Sequence, residues 1–141
     1  MRRALGHSVL ALFLAYSTSC VVVEKYKHEE FVEGMELYAE QVLPKYRRFV
    51  EDDPALKTDA AKKAAALKAA DDCQAAIASG KKNSDHKTFV QAMDRHTKEI
   101  LPKYKAYVAA SSLKDDTKKI RTRTADEWRA FVDDGVKRVG G

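Results

Sequence analysis

The sequence predicts an all-α fold, an antiparallel four-helix bundle made of two duplicated helical hairpins after an N-terminal signal peptide. Three observations predict it. Apolar residues recur with a helical period, a segment of twenty residues recurs 58 residues further along the chain, and helix-breaking residues are scarce. Only three of the 141 residues are proline and six are glycine, so the sequence allows long helices over most of its length.

The length of the chain favours one domain. Removal of a signal peptide at 1–19 would leave about 120 residues, which is enough to bury roughly two thirds of the unfolded surface. We therefore expect a single helical bundle at 20–141, in which repeat 1 occupies about 24–79 and repeat 2 about 84–139.

The first nineteen residues have the order of an export signal. Arginines at positions 2 and 3 precede an apolar stretch at 9–15 and small residues at 17–19, which end immediately before Cys20. A membrane-spanning helix is the alternative, but the apolar stretch is shorter than the roughly 18–20 residues that a bilayer core requires. We therefore expect cleavage before Cys20.

A cysteine at the first position after the small residues resembles a bacterial lipoprotein signal. The resemblance covers residues 1–21 and implies that the Cys20 thiol is lipidated and becomes the mature amino terminus. Ser17 stands where lipoprotein signals usually carry Leu, and it also suits ordinary signal peptidase, which would cut the same bond. Val21 resembles the residue of lipoproteins directed to the outer membrane. A soluble periplasmic or secreted protein remains the alternative.

An internal repeat spans most of the mature chain. Segment 31–50 (FVEGMELYAEQVLPKYRRFV) aligns without a gap to segment 89–108 (FVQAMDRHTKEILPKYKAYV), and the pair His28 and His86 extends the match upstream. Eight of the twenty pairs are identical: Phe31/Phe89, Val32/Val90, Met35/Met93, Leu43/Leu101, Pro44/Pro102, Lys45/Lys103, Tyr46/Tyr104 and Val50/Val108. The match predicts two copies of one helical unit.

The apolar stripe of each copy has a helical period and crosses a proline. In the first copy it contains Phe31, Met35, Tyr38, Val42, Tyr46 and Phe49. Because the stripe keeps its phase across Pro44 and Pro102, we expect one long helix with a kink in each copy. Two short helices split at the proline are the alternative.

The second helix of each hairpin is predicted from its ends. Asp53-Pro54 is a helix-start signal, and the alanine-rich helix that follows is expected to run to Ile77 and to stop before Gly80.

The last helix is expected to begin near 115–117 and to end at Gly140. The residues that it should bury are Ile120, Thr124, Trp128, Phe131, Val132 and Val139. Four helices with short connections favour an up-down-up-down bundle, and a dimer of separate hairpins is the alternative.

Catalytic and cofactor motifs are missing from the sequence. It contains no Gly-x-Ser-x-Gly, no phosphate-binding glycine loop, no His-Glu-x-x-His and no Glu-x-x-His. Neither cysteine lies in the Cys-x-x-Cys-His context of covalent haem. We therefore predict a non-enzymatic protein with no catalytic residue and no cofactor.

One constellation carries metal-binding chemistry. His28 and His86 each precede the first phenylalanine of their stripe by three residues and should share one end of the bundle. We expect Cys73 at a similar height along the bundle. Two imidazoles and a thiolate suit a soft or borderline metal. A periplasmic metal- or haem-binding bundle, with Met35 or Met93 as a haem ligand, is therefore the alternative function, although partly solvated histidines and core methionines are the commoner use of these residues.

The charge pattern describes a surface more than a binding site. Excluding the two arginines of the signal lowers the formal charge from +5 to +3, and both signs are interleaved. Basic clusters occur at 62–63, 81–82 and 118–123, where anionic envelope polymers or lipid head groups are conceivable partners. Export argues against nucleic acid. The sequence thus predicts a lipoprotein of the cell envelope, in the outer membrane or periplasm, anchored to the membrane through Cys20, that binds an envelope protein or polymer.

Overall fold

The computed structural model describes residues 27–140, and the predicted signal peptide and Cys20 lie outside this range. The described residues form helices α1 (27–41), α2 (Leu43–Asp52), α3 (Ala60–Lys82), α4 (His86–Ala110) and α5 (Asp115–Arg138). No strand occurs among them. The predicted all-α class is confirmed.

The proline of each repeat lies within a continuous helical path. Helix α4 runs unbroken through Pro102. In the first repeat only Val42 separates α1 from α2, and it keeps helical backbone angles. The Val42 amide donates to the Tyr38 carbonyl, and the Val42 carbonyl accepts from the Tyr46 amide, each over 2.9 Å. Both prolines are exposed, so the missing backbone donor faces water and the stripe continues past it.

Helix α3 begins and ends later than the sequence pattern predicted. Asp53 accepts a hydrogen bond from the Ala55 amide and caps only a 3-10 turn, Pro54–Leu56. The α-helix begins at Ala60, where the Asp59 carboxylate accepts from the Lys62 amide over 3.0 Å. The predicted start at Asp53-Pro54 was therefore wrong, because a second aspartate six residues on supplies the cap.

The helices pack as an up-down-up-down bundle with one core. Between α2 and α3, the Tyr46 hydroxyl donates to the Ala66 carbonyl over 3.2 Å. Between α1 and α5, the Trp128 indole donates to the Gln41 side chain over 3.1 Å. The rings of Phe31 and Phe89 meet across the bundle between α1 and α4, with centroids 5.6 Å apart. Both hairpins of one chain thus contribute to the same core.

Equivalent residues of the two repeats occupy buried positions. The pairs Phe31/Phe89, Met35/Met93 and Tyr46/Tyr104 are all buried. The main departure from equivalence lies at Tyr38, which is fully buried, whereas its counterpart His96 is half-buried.

Helix α5 buries a different line of residues from the predicted stripe. Val132 is buried as expected, and Thr124, Trp128, Phe131 and Val139 are half-buried. Ile120 is 55% exposed, so its predicted burial was wrong. The buried line of α5 contains Ala125 and Gly135, and Ile120 is five residues before Ala125, which places it about 140° away around the helix.

Two buried glycines allow the hairpins to approach closely. The Phe89 ring lies against Gly80, where a Cβ would overlap it, and a Cβ at Gly135 would lie 2.6 Å from Phe31. Each phenylalanine therefore packs on a glycine of the other hairpin. The helix end predicted before Gly80 was wrong for this reason: Gly80 is a buried packing position inside α3, and the helix continues to Lys82.

Substitution of Gly80 by alanine should destabilise the protein by about 1–3 kcal/mol, the usual cost of overpacking. The direction opposes helix propensity, which favours alanine over glycine. Chemical denaturation measures the change, and Ser79→Ala at an exposed neighbouring position is the control, expected to stay within about 0.5 kcal/mol. A stabilised Gly80→Ala protein would contradict the proposed close contact with Phe89.

Substitution of Pro44 by alanine should leave the fold intact and raise the free energy of unfolding by about 1–3 kcal/mol, since it restores a backbone donor for the Glu40 carbonyl and a better helix former. Thermal and denaturant unfolding measure it, with the equivalent Pro102→Ala as the matched variant. A clear loss of stability in Pro44→Ala would mean that the proline specifies a required break between α1 and α2.

Candidate functional site

One end of the bundle brings together side chains that the sequence singled out. The first turns of α1 and α4 and the last turns of α3 and α5 meet there around an open groove of about 1090 Å³. Its lining includes Lys27, His28, Lys82, His86, Phe131 and Arg138. We call this the histidine end.

The two histidines of the repeat are in direct contact at this end. Nδ1 of His28 lies 3.0 Å from Nδ1 of His86, and Nε2 of His28 lies 2.9 Å from the Gly80 carbonyl oxygen. A carbonyl only accepts hydrogen bonds, so His28 must donate from Nε2. In the neutral pair its Nδ1 therefore carries a lone pair, and His86 donates to it from Nδ1.

Aromatic packing and a helix cap hold the pair in place. His28 is 8% exposed, and its ring meets those of His86 and Phe89 edge to face, at centroid distances of 5.2 and 5.8 Å. His86 opens α4, whose first turn is capped by Asp85 through the Thr88 amide over 3.2 Å. The His28 ring is thus packed in place, and the capped first turn of α4 sets the backbone position of His86.

The electrostatic environment favours the neutral form of His86. Burial lowers the pKa of His86 below its ordinary value, and the neighbouring charges of His28 and Lys27 lower this pKa further. The lowered pKa favours the uncharged imidazole of His86.

Cys73 lies elsewhere in the core. It is fully buried and precedes Gly80 by seven residues, which corresponds to about 10 Å along α3. Burial raises the pKa of its thiol to about 12. The structure therefore unites His28 with His86 but not with Cys73, and residues 27–140 contain no group of three or more His, Cys, Asp and Glu side chains arranged to hold a metal ion.

The buried hydroxyl of Tyr38 was not predicted from the sequence. Tyr38 is fully buried, its hydroxyl has no hydrogen-bond partner among the described residues, and burial raises its pKa. The ring packs edge to face on Trp128 at a centroid distance of 6.0 Å. Its regular place in the apolar stripe predicted the burial, but nothing in the pattern indicated an unpaired hydroxyl.

A polar network between α4 and α5 was also missed. The Arg129 guanidinium contacts the Asp94 carboxylate and donates to the Thr97 hydroxyl over 2.8 Å, and Thr97 in turn donates to the Met93 carbonyl over 2.7 Å. Thr97 is fully buried. The network satisfies polar groups at the seam of the second hairpin, which is a structural role.

The methionines proposed as haem ligands are core residues. Met35 and Met93 are both fully buried and belong to the same apolar cluster as the phenylalanines of the repeat. Packing accounts for their placement at equivalent positions.

The basic clusters do not form one surface. Lys81 lies at the histidine end and pairs with Glu36 over 2.8 Å. Lys62 and Lys63 lie near the opposite end, where α3 begins, and pair with Asp59 over 3.3 Å and Glu51 over 2.8 Å. The cluster at 118–123 lies in the first half of α5, towards that same opposite end.

Among residues 27–140, no helix has the length and apolar character needed to cross a membrane. Comparisons of this chain with family models, with curated proteins and with solved structures found no match.

Native Cys73 should react with iodoacetamide at pH 8 at least tenfold more slowly than in denaturant, because the thiol is buried and its pKa of about 12 leaves little thiolate. Peptide mass spectrometry measures the labelling of Cys73. Fast labelling of Cys73 in the folded protein would show that its side chain is accessible.

Proposed function

We propose that this protein is a non-enzymatic lipoprotein of the cell envelope, a helical module held at a membrane by lipid on Cys20. The observation that carries the proposal is the order of residues 1–20: a basic start, a short apolar stretch and small residues before a cysteine. A lipid anchor would place the protein at the outer membrane. Cleavage without lipidation would release it into the periplasm or the exterior.

The position of the bundle in the chain supports this arrangement. Helix α1 is already formed at Lys27, so only six residues (21–26), or seven Cα–Cα steps, separate Lys27 from Cys20. An extended segment of that length spans at most about 25 Å. The histidine end would therefore lie close to the membrane surface, with the helices directed away from it.

The helices would carry the binding function outward. Helix α4 contains 25 residues, which corresponds to a length of about 37 Å, and the opposite end of the bundle would stand at that distance beyond the histidine end. Charged side chains cover the outer faces, many of them in exposed ion pairs such as Arg47 with Asp71 and Lys105 with Asp126. Such faces suit a polar partner in the envelope, a protein or a polymer, and export argues against nucleic acid.

The titratable groups of the bundle also support a non-enzymatic role. Burial and ion pairs within the bundle shift the pKa values of several described groups. Asp94 and Asp133, which pair with Arg129, are examples. Arg129 joins α5 to Asp94 of α4, whereas Lys81 and His86, whose pKa values are also shifted, line the groove at the histidine end. A structural or binding role accounts for them without a reaction.

Intact-mass analysis of the mature protein tests the anchor. We expect the loss of residues 1–19 and an added lipid mass on Cys20. A mass equal to unmodified residues 20–141 would contradict lipidation, and retention of Met1 would contradict cleavage as well.

Cell fractionation provides the matched comparison. The natural protein and Cys73→Ala should appear in the membrane fraction, whereas Cys20→Ser should lose the lipid and move to the soluble envelope fraction. Equal distribution of all three would exclude an anchor at Cys20.

A further inference from the structure

The contact between His28 and His86 is unusual for a purely structural pair. Two nitrogens that can both accept a proton face each other over 3.0 Å at a partly open end of the bundle. Packing alone would be served by two apolar side chains, as it is one turn further along by Phe31 and Phe89. The same repeat positions instead carry imidazoles.

We propose that the Nδ1 atoms of His28 and His86 bind one borderline divalent transition-metal ion, such as Zn²⁺, at the histidine end of the bundle. Imidazole nitrogen is a preferred ligand for these ions. With a zinc–nitrogen distance of 2.0–2.1 Å, two nitrogens of one tetrahedral site lie about 3.3 Å apart, so the observed separation needs only a small adjustment.

The hydrogen bond from His28 to Gly80 fixes the ring orientation of one proposed ligand. Metal-binding histidines usually donate their second ring nitrogen to a carbonyl or carboxylate, which fixes the tautomer and the ring orientation. His28 does this through Nε2 to the Gly80 carbonyl over 2.9 Å, and its Nδ1 is therefore a fixed lone pair.

His86 supplies the adjustable ligand. In the metal-free pair its proton lies on Nδ1, between the two rings. Metal binding requires this proton to move through solvent to Nε2, after which both rings are neutral and both Nδ1 atoms coordinate the ion. His86 is half-buried beside the groove, so its ring is accessible to solvent and water can fill the remaining coordination positions.

The site would join the two hairpins. His28 belongs to α1 and His86 to α4, and these helices come from different repeats. An ion that binds both rings in the folded state and not in the unfolded chain stabilises the fold in proportion to its concentration. Zinc binding at His28 and His86 does not require the lipid anchor, because both residues belong to the bundle.

Zinc titration of the metal-stripped full chain at pH 7.5 tests the proposal. By calorimetry we expect one Zn²⁺ per chain and, in a parallel melt, a rise in Tm with zinc concentration. Mg²⁺, which requires oxygen ligands, should not raise the Tm. In the spectrum of ¹⁵N-labelled histidine, Nδ1 of both His28 and His86 should shift on zinc binding.

Variants assign the site. His86→Ala and His86→Gln should each weaken zinc binding by about tenfold or more, since loss of even an outer-shell partner costs that much, while their helix content stays unchanged. His96→Ala, which removes the other described histidine, should bind zinc as the natural chain does. Absence of binding to the natural chain, or unchanged affinity in both His86 variants, would overturn the proposal.

Discussion

The reciprocal contact of two phenylalanines with two glycines determines how the hairpins meet. Phe31 of the first repeat lies on Gly135 of the second, and Phe89 of the second lies on Gly80 of the first. Because the glycines lack side chains, the helices approach closely enough for the two rings to touch across the core at 5.6 Å. Within the first hairpin, the Gly80 carbonyl also accepts a hydrogen bond from His28 over 2.9 Å. Gly80 thus contacts both the aromatic core, through Phe89, and the histidine pair, through His28.

The repeat predicted the core better than the helix ends. Phase within a repeated stripe identifies buried residues directly, because side chains on one face of a helix share one environment. The end of α3 depends instead on packing between the hairpins. The local sequence predicts a helix end at Gly80, but Gly80 lies inside α3, where the Phe89 ring packs against it. The start of α3 depends on a choice between two capping aspartates, and Asp59 is selected only once the chain has turned through Pro54–Leu56.

The candidate site was predictable only where the repeat applied to it. His28 and His86 are equivalent positions on helices that run in the same direction, so their common end followed from the 58-residue period. Cys73 has no such constraint, and its height along α3 depends on where that helix begins and ends. The buried hydroxyl of Tyr38 and the contact of Arg129 with Thr97 are likewise products of tertiary packing.

Duplication explains why the two histidines meet, and its imperfection explains why they differ. A fully symmetric pair would give each ring the same partners, and neither nitrogen of the contact would be assigned as donor. Here His28 is buried and donates from Nε2 to the Gly80 carbonyl, so in the neutral ring Nδ1 is the acceptor. His86 is half-buried and keeps the freedom to move its proton. One ring is therefore fixed and the other adaptable, and a ligand that replaces the shared proton needs to rearrange only the accessible ring.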